Sequence, residues 1–204
     1  MKKGMRNIIV AAGMTASVLP GGTSRAADRE ALTIVVHVSD HAGIGSGGLA
    51  RAKAQTRRVF DAAGVRVVWS DAREGPNARA CEGLNLFVTL LSPQQLLEQG
   101  GRKSALGRAA PAESQAWIYP ERVSLLAWRK SMDERVLLGL VIAHEVGHLV
   151  LPGSGHSPNG IMTAGIDTDP KGMRARFTNQ ETRAIRELLE SKAGNPAEGT
   201  NCGN

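Results

Sequence analysis

At 204 residues the chain is long enough for one domain with a sizeable core and too short for two ordinary ones. Its formal net charge of +6 owes four charges to Lys2, Lys3, Arg6 and Arg25, so the remainder carries only +2. Aromatic residues make up 3% of the chain and are not interleaved with basic ones, which argues against the base-stacking surface of a nucleic-acid binder.

Residues 1–26 have the layout of a secretory signal peptide. Lys2, Lys3 and Arg6 form a charged start, Ile8 to Leu19 a short apolar centre, and Ser24-Arg25-Ala26 a small-residue cleavage site. The apolar run is too short to span a bilayer, so no stable membrane insertion is expected after cleavage, and the chain is expected to be secreted or periplasmic. A catalytic or binding domain is expected over 27–192, acting as a monomer, with a C-terminal tail over 193–204.

"ALTIVVHVSD", 31–40, is a β-branched run that reads as a buried strand. "GIGSGG", 43–48, follows it and satisfies the dinucleotide-binding pattern G-x-G-x-x-G, with Asp71 at the distance of a ribose-binding acid. Four residues, Ser39 to Ala42, loosen the tight turn that a pyrophosphate needs, and a glycine-rich strand-to-helix connection is the plainer reading. A helix over 49–63 stops at Gly64, and "VRVVWS", 65–70, completes a βαβ unit that favours parallel pairing.

A polar loop, 71–83, contains Cys81. An exported chain meets an oxidising environment, so Cys81 and Cys202 are a candidate disulfide tying down the tail; the alternative is one free or metal-binding cysteine. Further strands are expected at 84–91 and 115–120, with a short helix at 93–98 and an edge strand near Ala105 to Ala109. Ser131 with Glu134 has capping-box spacing before the apolar helix "VLLGLVIAHEVGHLVL", which Pro152 and Gly153 stop. Thr178 with Glu181 repeats that spacing before "NQETRAIRELLESK".

The central helix carries His144-Glu145-Val146-Gly147-His148. Residues four apart lie on one helix face, so both imidazoles can point at one metal ion, and zinc suits such nitrogen ligands. Glu145 sits beside the first ligand, where its carboxylate reaches a metal-activated water as general base. A helix apolar nearly all round is a costly place for these groups unless a metal compensates them; the alternative is a pair of satisfied core histidines partnered by Glu145. His156 is the candidate third ligand, since the Pro-Gly-Ser-Gly turn before it reverses the chain; Asp167, Asp169 and Glu181 compete with it.

From "HEVGH" onward the sequence resembles the metzincin clan of zinc metallopeptidases, whose signature is H-E-x-x-H-x-x-G-x-x-H followed by a methionine-containing turn. The third histidine here comes eight positions after His148 rather than six, and Leu151 stands where the clan has glycine. The resemblance implies an α+β catalytic domain: a twisted, mostly parallel sheet of four to five strands with a backing helix, a central active-site helix and a C-terminal helix. It implies Zn²⁺ held by His144, His148 and His156, Glu145 as general base, and Met162 of "SPNGIM" as a Met-turn floor beneath the metal, with an ordinary core methionine as the alternative for Met162. It further implies a protein or peptide substrate bound along an edge strand between 103 and 119. Tyr119 then either assists the oxyanion or packs at a strand end. Two other functions fit the same ligands: a zinc-stabilised binding module without turnover, and a metallohydrolase acting on a non-peptide bond.

Overall fold

In a computed structural model, the described residues are 32–71, 83–99, 104–151, 153, 155–165 and 175–193. Residues 1–26, where a signal peptide is expected, both cysteines, Asp167 and Asp169 lie outside them.

The first unit is the expected βαβ: β1 (Thr33–Asp40), α1 (Ser46–Asp61) and β2 (Arg66–Asp71), with β1 and β2 parallel and Thr33 opposite Arg66. β3 (Leu84–Leu90) adds parallel to the other side of β1, and β5 (Gln115–Ile118) adds parallel to β3. β4 (Gly107–Ala110) pairs antiparallel with β5 and closes the order β2-β1-β3-β5-β4, so its outer edge has no strand neighbour among the described residues. The short helix α2 (Pro93–Gln99) follows β3, and a 3-10 turn, Pro111–Glu113, joins β4 to β5.

Alternation along the strands decides what covers the sheet. Ile34, Val36 and Val38 of β1 and Leu86, Val88 and Leu90 of β3 point to one face, where they meet α1 and the long helix α4 (Glu134–Val150) in a single core. α4 is buried from Leu137 to Gly147, as its nearly uninterrupted apolar sequence requires. It crosses α1 at Gly139, where a Cβ would stand 2.5 Å from the Ala52 carbonyl oxygen and 2.6 Å from the Gln55 Cβ. The Thr56 hydroxyl donates to the Gly139 carbonyl across this crossing, at 2.9 Å.

Three local expectations are corrected. The Ser131–Glu134 box does not form: Asp133 is the N-cap of α4, its Oδ1 accepting from the Arg135 and Val136 amides at 2.9 and 3.2 Å. Ser131, at φ 52°, ends a helix absent from the sequence reading, α3 (Pro120–Lys130). The 115–120 strand therefore stops at Ile118, and Pro120 opens α3 at a position where its missing N–H is harmless.

The glycine-rich loop also shows why it is not a phosphate cradle. Asp40, at the end of β1, turns its carboxylate into the loop and accepts from the amides of Ala42, Gly43 and Ile44 at 2.9–3.0 Å. The N–H groups that would hold an anion already hold one from this chain.

The Thr178–Glu181 box does form, opening α5 (Asn179–Ala193). The Thr178 amide donates to Glu181 Oε2 at 2.7 Å, and the Glu181 amide donates back to Thr178 Oγ1 at 3.2 Å.

Candidate metal centre

α4 delivers His144 and His148 one turn apart at its C-terminal end, with their Nε2 atoms 3.1 Å apart. Leu151 leaves helical geometry (φ −113°, ψ 91°), as the residue before a proline must. The chain then turns through Gly153 (φ 68°) and returns His156 to the same point. A ligating nitrogen from each of the three histidines lies within 4.8 Å of the others, so the longer spacing still brings His156 to the pair. Two ligands about 2.0–2.1 Å from one zinc at a tetrahedral angle stand about 3.3 Å apart, close to the separation of the His144 and His148 nitrogens.

Second contacts orient the set. His144 Nδ1–H donates to the Ile161 carbonyl at 2.7 Å, which leaves Nε2 bare for a cation. Burial holds the His144 pKa below the usual histidine value, partly opposed by that same hydrogen bond, and so favours the neutral imidazole that a metal needs. The Ile161 loop is itself pinned: the Ser157 amide bonds the Met162 carbonyl at 2.8 Å and the Ile161 amide bonds the Arg176 carbonyl at 2.9 Å.

Glu181, the competing ligand, is not part of the group. Its Oε2 caps α5, and its Oε1 accepts a short hydrogen bond from the Ser157 hydroxyl. The competitor thus fixes the residue next to His156. Met162 is fully buried beneath α4, where a Cβ on Gly147 would come within 2.5 Å of its Sδ. Gly147, the fourth residue of the motif, is what lets the methionine approach. Tyr119 packs with Leu91 and Leu96, and its ring carries the Arg122 guanidinium at 4.8 Å.

Glu145 lies between the core and a cleft of about 1080 Å³ that it lines together with all three histidines. Only 7% exposed, its carboxylate makes no hydrogen bond or ion pair within the described residues, and burial pushes its pKa up to about 7 in the absence of a metal. With no protein partner, the carboxylate faces the cleft, where water, a ligand or a cation can complete it.

A residue the sequence reading passed over faces it. A Cβ on Gly107 of β4 would stand 2.8 Å from both Cγ and Oε1 of Glu145 and 2.9 Å from the Trp117 carbonyl oxygen. Gly107→Ala is therefore expected to displace the carboxylate and to crowd the β4–β5 backbone at Trp117 while sparing the histidines. If the site hydrolyses peptides as the resemblance implies, turnover should fall by about 10–100-fold with zinc content and KM little changed, because ångström-scale misplacement of a reacting group carries that size of penalty. Unchanged kcat would show that Gly107 does not set the position of Glu145.

No protein-family model matches the chain, and no curated protein matches it. Among solved structures, the chain is similar to a zinc-dependent peptidase from Methanocorpusculum labreanum, at 15% identity and a TM-score of 0.45, covering 76% of this chain and 99% of the other. It is also similar to an archaemetzincin from Methanopyrus kandleri, at 17% identity and a TM-score of 0.45, covering 78% and 95%.

Proposed function

We propose that this chain is a secreted or periplasmic zinc-dependent endopeptidase of metzincin type. The observation that carries the reading is the convergence of three histidine nitrogens beside a buried, unpartnered carboxylate, all opening on one cleft. Three neutral nitrogen donors suit Zn²⁺ and leave a coordination position for solvent or substrate. When bound there, zinc supplies Lewis acidity that lowers the pKa of water to about 7 and polarises a scissile carbonyl.

The chain's own residues do the rest. Glu145 accepts a proton as water attacks the carbonyl carbon, and delivers it to the departing amine nitrogen. Gly107 keeps the space that this carboxylate occupies. His144 is held in one tautomer by Ile161, so the donor nitrogen is ready before the metal arrives. The outer edge of β4, along the cleft and without a strand neighbour among the described residues, offers backbone groups to which an extended peptide can add. Export rests on residues 1–26 alone.

A zinc-stabilised binding module is the second reading, and Glu145 weighs against it, since a structural site needs no general base and closes its fourth position with protein. Metal analysis of the purified native chain, paired with cleavage of an unfolded protein substrate, tests the proposal. One zinc per chain, cleavage abolished by a chelator and cleavage restored by zinc are expected. Full cleavage after metal removal would reject the metallopeptidase reading; a zinc-loaded chain that cleaves nothing would favour the binding module.

A further inference from the structure

The cleft beside the histidines carries a charge that hydrolysis does not use. α3 turns one stripe toward it: Arg122, then Leu125 and Leu126, then Arg129 and Lys130, at the three, four, seven and eight spacing of a single helix face. Arg108 of β4 also lines the cleft, its guanidinium lying over the Trp117 ring at 4.2 Å from the centroid. Among the described residues that line the cleft, Glu145 is the one carboxylate.

Arg108, Arg129 and Lys130 are exposed, and none forms an ion pair with a carboxylate among the described residues. Arg122 is fixed rather than floppy, since its Nη1 donates to the Ala105 carbonyl at 2.9 Å and its guanidinium covers Tyr119. Leu125, 48% exposed, leaves an apolar surface between the charged turns. A cleft lined by one sign of charge focuses the field and concentrates ligands of the opposite sign.

Building on the peptidase reading of the site, we propose that this cleft selects acidic peptides, with Asp and Glu side chains lying along α3 against Arg122, Arg129 and Lys130. Apolar side chains of the same peptide rest on Leu125 and Leu126. A groove between an edge strand and a helix suits one extended chain, and the leucines suit side chains better than phosphates.

The test reads binding, so it stands apart from turnover. Three dye-labelled nonapeptides of one Ala/Leu framework, carrying Glu, Gln or Lys at alternate positions, are titrated into zinc-loaded Glu145→Gln protein, which retains the cleft. At low salt the Glu peptide is expected to bind about tenfold more tightly than the Gln peptide, and the advantage should shrink at 0.5 M salt, where the Debye length is a few ångströms. Arg129→Glu with Lys130→Glu, both exposed, should reverse the order of the Glu and Lys peptides. Arg58→Glu with Arg183→Glu, an equal change of net charge outside the cleft, should leave it unchanged. Equal affinities for all three peptides, a cleft variant that keeps the native order, or a single-stranded oligonucleotide that competes as well as the Glu peptide would overturn the proposal. Acidic preference in binding without cleavage by the native chain would preserve it while removing the peptidase reading.

Discussion

Glu145→Gln is expected to reduce peptide hydrolysis by about 10²–10⁴-fold, the range over which a positioned general base contributes, while leaving one zinc bound per chain. The substitution keeps the shape of the side chain against Gly107 and removes its proton affinity. The same variant isolates the carboxylate's contribution to stability once the metal is chelated away. Burial raises the folded carboxyl to about 7 from 4.5, so between these values the folded chain binds more protons than the unfolded one. Metal-free native protein should therefore lose, on the order of, 3 kcal/mol relative to Glu145→Gln as pH climbs from below 4.5 to above 7. His144 pulls the other way, destabilising as pH falls through the histidine range, but it does so in both proteins and cancels in the comparison. Undiminished cleavage by Glu145→Gln would reject the proposed chemistry. A flat stability difference across that pH window would reject the buried charge.

His156→Ala carries the second large effect. His156 is exposed, unlike His144, so its removal should leave the melting temperature of the metal-free chain within a degree or two of native. Zinc affinity should nevertheless fall by more than about 100-fold, the upper end of what changes outside a ligand set produce. Competition against a chromogenic chelator reads the affinity directly. Full zinc retention would reassign the third position and would reopen Asp167 and Asp169, which lie outside the described residues.

Much of this was readable in the chain because local rules carried it. The βαβ start, the buried central helix and the Thr178–Glu181 box follow from periodicity and capping, which need only neighbouring residues. α3 escaped because its first residue, Pro120, closes an apolar strand run, and because Ser131 and Glu134 imitate a helix start three residues apart. Ser131 instead takes the left-handed conformation that ends α3, and the real cap, Asp133, is hidden inside the imitation. At the site, His144, Glu145 and His148 share one helix face and need no tertiary knowledge. Gly107 and Glu145 meet only because β4 pairs antiparallel with β5 and packs against α4, so no sequence pattern links them. The Glu181 carboxylate misled in a different way: it is near the metal group by design of the α5 cap, yet it acts on Ser157.

That last contact fixes an order of events. Two of the three imidazoles belong to α4, but the segment bearing the third is latched by Glu181, an element made later in synthesis. Chains grow from the N-terminus and their parts settle as they emerge. A nascent polypeptide halted before residue 181 thus possesses the His144 and His148 pair without the Glu181 latch on the segment that carries His156.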